Sequence, residues 1–391
     1  MTTRLRVAIL CDFTEEGWPS MDLVGDMLTQ SLQRYYRPVL DAIRIRPNFV
    51  RRFSRFGGTQ KAIWNLDRFL NRMFDYPRYL RRMIDEFDVF HLVDHSYSHL
   101  LHEIPAKRPA IVTCHDLDTF SCLLDPESRC RSWGFRMMTR RILAGFHRAL
   151  RFACVSRSTR QQLIKHLLIP PENTSVVPNG IAGVYSPHPD LYGDSEALRL
   201  LGPPNRAIEL LSVGGTAHRK RLDVLLHVFA TVRRRYSDVR LIRVGGPLTT
   251  MQRDLADQLG LSNAIIELPF LSRRTLAAVY RRAAVLIFPS EAEGFGLPVL
   301  ESMACGTPVV ASDIAALRET GGAAAKYAPV GDIQQWSEAV IDVLHTRYDS
   351  GLLIKHRERG LDRARQFSWR NAAKLTVETY SDLLRCSPMS D

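Results

Sequence analysis

Short apolar runs rich in β-branched residues alternate with amphipathic stretches along the whole chain, a pattern that admits few folds other than parallel sheets with crossover helices. In the first half the strand-like runs are residues 5–11, 88–93, 110–114, 152–155 and 175–177. In the second half they are 208–213, 240–244, 264–267, 285–288, 308–311 and 324–327. The series restarts once. Between its two parts lies a Pro- and Gly-rich segment, residues 182–207, whose composition fits a linker and a domain edge. At 391 residues the chain is long for one ordinary core. The expected organisation is an N-terminal domain over 1–183, a C-terminal domain over 184–366, and a final segment 367–391. In that last segment Ala373, Val377, Tyr380 and Leu384 recur at helical spacing, so one face of the helix must be buried.

Several classes are disfavoured at once. With 45% apolar and 24% charged residues the composition is that of a globular protein rather than a disordered one. The apolar run that follows the basic N-terminal residues is too short for a signal-peptide core, and no stretch approaches the ~20 apolar residues needed to cross a bilayer. The seven cysteines are scattered and form no C-x-x-C pair, which argues against a disulfide framework or a zinc knuckle and for a reduced, cytoplasmic setting.

The formal charge of +12 is unevenly placed. Thirteen basic residues stand against three acids between Arg34 and Arg82, and residues 128–171 contain no carboxylate. Such a field suits nucleic acid, an anionic membrane surface or a phosphorylated substrate, and equally a solvated basic face with no partner.

In open parallel sheets ligands bind beyond the carboxyl ends of the strands, so chemistry is sought just after strands. Gly214 and Gly215 follow one strand and permit a tight turn, and His218, Arg219, Lys220 and Arg221 then reach a helix start, where free N–H groups attract anions. A bound phosphate would compensate these cations; a solvated basic turn is the plainer alternative. A second strand runs into Glu293, Gly294, Phe295, Gly296 and Leu297, with Pro298 in the first turn of a helix that carries Glu301. Carboxylates accept paired sugar hydroxyls, so two acids beside exposed amides fit a sugar joined to a phosphate. Either acid alone is better explained as an ordinary helix-start or helix residue. The segments 243–247 and 268–271 have the Gly and Pro punctuation of crevice loops. In the first half His115 ends a strand, and the loop after the first strand carries Gly17 and Trp18. No H-E-x-x-H motif or carboxylate cluster points to a metal.

The run EGFGLPVLESMACGTPVVAS resembles the E-x7-E signature of retaining GT-B glycosyltransferases of the group 1 (family 4) type. VTCHD, VSRST, VVPNGI, VGGTAHRKRLD, LPFLSRRTLAAVYRRAAVLIFPS and the final FSW extend the resemblance over most of the chain in the family's order. It implies two Rossmann-like, doubly wound domains facing a central cleft, with the donor on the second, the acceptor on the first, and the last helix crossing back. By position, Lys220 and Arg219 would hold the donor diphosphate, with Gly214 and Gly215 beside it, and Glu301 would bind the ribose. Glu293 and the amides of Phe295, Gly296 and Leu297 would bind the sugar or its phosphate, with Gly294 in the same loop. Phe270 and Leu271 would flank the base. His115 would face the sugar, and Gly17 and Trp18 would lie on the acceptor side.

Many members carry arginine where this chain has Gly215, a departure similar to a subgroup with many mannosyltransferases. The implied function is metal-independent, retaining transfer of a hexose from GDP-mannose or a UDP-sugar, without a cofactor, to a polysaccharide, lipid-linked or other envelope glycan. The expected location is the cytoplasm, peripheral at the inner membrane face. Two other classes stay open, a nucleotide-sugar binder without transfer activity and a basic nucleic-acid-binding α/β protein. The basic stretches lack a known nucleic-acid module and the aromatic interleaving that would support the latter.

Overall fold

A computed structural model describes residues 4–54, 61–127, 129–203 and 207–386. Arg55 of the basic stretch and residues 204–206 of the Pro- and Gly-rich segment lie outside the described residues. The chain divides into two compact units, Met1–Gly180 with Trp369–Asp391, and Ile181–Ser368.

The first unit holds strands β1 (Leu5–Leu10), β2 (Leu40–Ile45), β3 (Val89–Leu92), β4 (Ala110–Cys114), β5 (Arg151–Cys154) and β6 (Thr174–Val176). They form one parallel sheet in the order β2-β1-β3-β4-β5-β6. The second unit holds β7 (Ile208–Val213), β8 (Val239–Val244), β9 (Ile265–Leu268), β10 (Val285–Phe288), β11 (Val309–Ser312) and β12 (Lys326–Ala328). Their order is β12-β11-β10-β7-β8-β9, again all parallel. Central strands such as β4 and β10 are buried throughout, as parallel strands covered by helices on both faces must be. Each sheet reverses its direction of growth once, between β1 and β3 and between β7 and β10. Those are the points where adjacent strand-end loops diverge and leave a crevice.

Two elements differ from the sequence expectation. Strand β2 falls in a stretch read only for charge, because Asp41 and Arg44 interrupt its apolar run; both point outward from an edge strand, and Arg44 pairs with Asp26 at 2.5 Å. The Pro- and Gly-rich segment is not a plain linker, since it contains the helix Leu191–Leu201. Asp190 caps that helix by accepting from the Gly193 amide at 2.7 Å. Gly193 packs against the helix Arg273–Arg282, where an added Cβ would lie 2.3 Å from the Arg274 carbonyl oxygen. Capping and a glycine contact make this helix, and neither leaves a strong periodic apolar signal.

The helix Trp369–Cys386 belongs to the first unit and packs on the helix Pro19–Tyr36. Its buried Tyr380 hydroxyl meets His91 Nδ1 at 2.7 Å, while His91 Nε2 meets Thr113 Oγ1 at 2.8 Å. Burial, helped by His115, holds the imidazole of His91 down at about 3 and therefore neutral. A depressed histidine contributes stability above its unfolded value and loses it as pH falls, so this contribution disappears between 6.5 and about 3. Tyr380→Phe leaves one ring nitrogen of a buried histidine unpartnered. Urea unfolding near neutral pH is expected to show a loss of about 1–3 kcal/mol, and an unchanged midpoint would contradict this docking.

Candidate active site

In the second unit the reversal of strand order brings together the loops after β7 and β10. The β7 loop turns through Gly214 and Gly215 into a short 3-10 turn, His218–Lys220, and the α-helix Leu222–Arg235 begins only beyond Arg221. The amide of Glu291 donates to the Arg219 carbonyl at 2.8 Å, which ties the two loops by their backbones. Their side chains complete the junction. Lys220 Nζ lies 2.5 Å from Glu293 Oε1 and 4.9 Å from the centre of the Phe288 ring. Arg219 reaches the same Glu293 oxygen at 3.3 Å and donates to the Ala292 carbonyl at 3.0 Å.

The compensation that the basic turn needs is thus supplied by carboxylates. Glu293 serves Lys220 and Arg219, and Arg221 is held by Asp223 at 2.8 Å and by Glu291 at 3.4 Å. A small hollow opens beside Lys220, lined by Gly215, Ser212, Arg243, Phe288 and Ser290 among others. One glycine next to the β7 loop is required by the close approach of the backbones. Gly245 has φ +125°, and a Cβ there would lie 2.1 Å from the Gly214 carbonyl oxygen.

Glu301 sits inside the helix Leu297–Ala304 and does not line that hollow. It is 7% exposed, accepts from the Tyr280 hydroxyl at 3.0 Å, and is also hydrogen-bonded by Tyr185. Burial pushes its carboxyl up to about 7 against the pull of the two tyrosines and of Arg273. The structure therefore joins Lys220, Arg219 and Glu293, and gives Glu301 a separate pair of partners. Between them, the loop residues Phe295 and Gly296 are fixed by packing: Phe295 stacks edge-to-face on Phe367 at 5.7 Å, and its carbonyl accepts from Thr320 at 2.5 Å. Gly296 takes φ +96° and leaves no room for a Cβ, which would meet Leu317 at 2.5 Å. The amide of Leu297 therefore opens the helix from a fixed turn. Phe270, beyond β9, is 59% exposed, and Leu271 beside it is partly buried.

In the first unit the corresponding reversal gathers, around the expected His115, groups that sequence reasoning missed. His115, after β4, places Nε2 at 2.7 Å from the Val93 carbonyl; a carbonyl only accepts, so Nε2 carries the proton. Burial keeps this ring's pKa low, and only Nδ1 remains to accept. Beside it stand His95, Asp94 and Asp12, all buried. The His95 and His115 ring centres are 6.3 Å apart. Asp12 and Asp94 share a hydrogen bond, and two such carboxyls cannot both ionise. Burial and the neighbouring Asp94 charge push Asp12 well up, so it holds the proton, while His95 and that bond keep Asp94 down at about 2 despite burial. The available signal was their position after β1 and β3. Gly17 ends the 3-10 turn Thr14–Glu16 with φ +71°, and Trp18 is 51% exposed next to it.

The basic stretch is less cationic in space than in sequence. Arg44, Arg46, Arg52, Arg68, Arg72 and Arg81 pair with Asp26, Asp22, Asp75, Glu16 and Glu103. Among the described residues, Arg34, Arg37, Arg51, Arg78 and Arg82 form no ion pair and are exposed. Phe53, Phe69 and Phe74 are exposed in the same stretch. Cys11, Cys114, Cys122, Cys154 and Cys305 are buried and unbridged. No helix among the described residues is long and apolar enough to cross a membrane.

Comparison with known proteins bears on both units. The family described as Glycosyl transferases group 1 matches residues 196–367, and that described as Glycosyltransferase Family 4 matches residues 34–182. The chain is similar to the serotype-specific mannosyltransferase WbdA of Escherichia coli, at 28% identity over 310 residues, 76% of this chain and 36% of the relative. It is 35% identical over 197 residues to a D-inositol 3-phosphate glycosyltransferase of Corynebacterium urealyticum, 48% of this chain and 46% of the relative. The matches thus span between a third and a half of these two relatives' lengths. Among solved structures, sucrose-phosphate synthase of Thermosynechococcus elongatus gives a TM-score of 0.72 at 18% identity, covering 98% of this chain and all (100%) of that one. HepE of Anabaena, in complex with UDP and glucose, gives 0.70 at 18% identity over 97% of this chain and 100% of that one.

A carboxyl whose folded pKa is raised adds stability below its unfolded value and loses it as pH climbs through the folded one, here from 4.5 to about 7. Glu301→Gln removes this titration. Thermal or urea unfolding should find the variant more stable than the wild type near pH 8, by on the order of 1–3 kcal/mol, with the gap closing toward pH 5. A gap independent of pH would show that Glu301 is not a buried titrating acid.

Proposed function

The chain belongs to the group 1 glycosyltransferases of GT-B fold, and from that premise we propose that it transfers a hexose from a nucleoside-diphosphate sugar to an envelope glycan or lipid-linked acceptor. The observation that carries the reading is the junction at the β7/β10 reversal, where Lys220 lines a hollow at the carboxyl ends of the strands and shares Glu293 with Arg219. As the bond from the anomeric carbon to the diphosphate oxygen breaks, negative charge grows on the leaving group. Cations already in place stabilise that charge more than the ground state, which is what lowers a barrier. Lys220 and Arg219 supply the charge, so the proposed transfer needs no metal ion. Glu293 leaves them as the diphosphate arrives and becomes an acceptor for sugar hydroxyls, and Glu301 accepts from the ribose.

The proposed stereochemistry is retention by front-face attack. The acceptor oxygen bonds to the anomeric carbon on the side from which the diphosphate departs, and its proton passes to a departing phosphate oxygen. Glu293, engaged in this proposal as an acceptor of sugar hydroxyls, is poorly suited to act as a covalent nucleophile. A mannosyl donor is favoured by the likeness to WbdA, which is named as a mannosyltransferase. The relative abundance of ion-paired arginines in the first unit weakens a nucleic-acid reading.

The test is turnover of labelled GDP- and UDP-sugars with envelope extracts, preceded by a thermal-shift panel. A donor at a hundred times its dissociation constant should add about 2.7 kcal/mol of stability. Lys220→Ala and Glu293→Ala are each expected to lower kcat/KM by about 10²–10³-fold, with wild-type activity unaffected by EDTA. Donor binding without any transfer would point instead to a nucleotide-sugar sensor. We also propose that the first unit touches an anionic bilayer through exposed Phe69, Phe74, Arg78 and Arg82. Vesicles rich in phosphatidylglycerol should sediment the protein and release it after Phe69→Ser with Phe74→Ser, whereas equal binding by neutral vesicles would refute the contact.

A further inference from the structure

Arg243 lies in β8 amid Leu241, Ile242 and Val244 and is 1% exposed. Its two terminal nitrogens donate to backbone carbonyls: Nη1 to Val244, and Nη2 to Gly214 and, at 2.9 Å, to Gly215. Carbonyls satisfy hydrogen bonds without cancelling a charge. No carboxylate among the described residues lies within ion-pair distance of Arg243. Glu267 acts on it electrostatically, but its Oε2 accepts from the Leu248 amide at 2.5 Å. Burial lowers this guanidinium to about 10, still charged at neutral pH.

The fold pairs two comparable buried charges with opposite ones. Glu209 of the neighbouring β7 is 6% exposed and is met by Arg240 and, at 2.6 Å, by Arg282. Arg72 in the first unit, 6% exposed, has Glu16 at 3.2 Å. An isolated buried cation is costly unless a counter-charge arrives, and Arg243 lines the hollow beside Lys220. Two further polar atoms there lack partners, Arg243 Nε and the hydroxyl of Ser290, which is 1% exposed and also lines the hollow.

We propose that Arg243 and Ser290 form the floor of an anion site beneath Lys220, which receives one phosphate of a nucleoside diphosphate. The site has a donor hydroxyl, an uncommitted Nε–H and the Lys220 ammonium beside them, and the charge of Arg243 is left over once Glu293 is counted against Lys220. By gripping the Gly214 and Gly215 carbonyls, the same guanidinium also turns the loop so that its oxygens point away from an incoming anion. This inference rests on the nucleotide-sugar reading for the identity of the ligand, though not for the existence of the anion site.

Isothermal titration calorimetry at fixed salt, with pyrophosphate, GDP, UDP, guanosine and uridine, separates the two. For whichever nucleoside diphosphate binds the wild type, Arg243→Gln is expected to weaken binding about 50- to 100-fold, and Ser290→Ala about five- to tenfold, as befits charged and neutral hydrogen bonds. Arg243→Lys should recover a large part of the loss, and the matching nucleoside should bind all variants alike. Affinity of Arg243→Gln within twofold of wild type overturns the proposal. So does an equal loss for nucleoside and diphosphate, which would reduce Arg243 to a prop for the loop. Should the Arg243 variants fail to fold, Ser290→Ala carries the test, and its unchanged affinity for pyrophosphate overturns the site. Wild type that binds pyrophosphate but neither nucleotide upholds the anion site and sinks the nucleotide-sugar reading; wild type that binds none of them sinks both.

Discussion

The reversal of strand order at β7 and β10 is the constraint on which the candidate chemistry depends. Parallel strands joined by crossovers must send every following loop to the same edge of the sheet, and only where growth changes direction do two adjacent loops part. There the sequence places glycines in one loop, a cationic turn after them, and an acid in the other. The backbone bond from Glu291 to Arg219 fixes the spacing, and the ion pair of Lys220 with Glu293 fills it. Neither segment could adopt this arrangement alone, since the partners are 73 residues apart. The first unit repeats the logic at β1 and β3 with different chemistry, a proton held between Asp12 and Asp94 beside the ring of His95 and the neutral-leaning imidazole of His115.

Much of this architecture is legible in the sequence because parallel strands are buried on both faces and so read as continuous apolar runs. The strands from β3 to β12 stand within a residue or two of the runs that announce them, and the loops after β7 and β10 lie at strand ends, where the topology of an open parallel sheet concentrates binding groups. The elements that escape do so for physical reasons. Strand β2 lies at a sheet edge and alternates charge with apolar side chains, so its signal is diluted by Asp41 and Arg44. The helix Leu191–Leu201 is held by a cap and a close glycine contact rather than by a broad apolar stripe.

Charge is the least legible quantity. Counting arginines between Arg34 and Arg82 overlooks acids contributed from distant positions, such as Asp22, Asp26 and Glu103, that neutralise many of them. The opposite holds for Arg243. An arginine buried in a largely apolar parallel strand is a visible anomaly, yet only the structure distinguishes it from Glu209, an equally anomalous acid one strand away that has two arginines, Arg240 and Arg282, as partners. Sequence shows that a charge is buried, and packing shows whether it is balanced.

The grip of Glu293 on Lys220 and Arg219 has a thermodynamic corollary. With its carboxylate seated, the turn holds a built-in counter-ion, and any incoming anion must evict a resident rather than settle on a bare ammonium. Docking then exchanges one neutralising group for another, so its ionic-strength dependence is shallower than the number of cations alone would give. The same carboxylate can return when an anion departs, which spares the lysine from re-hydrating as an unpaired charge.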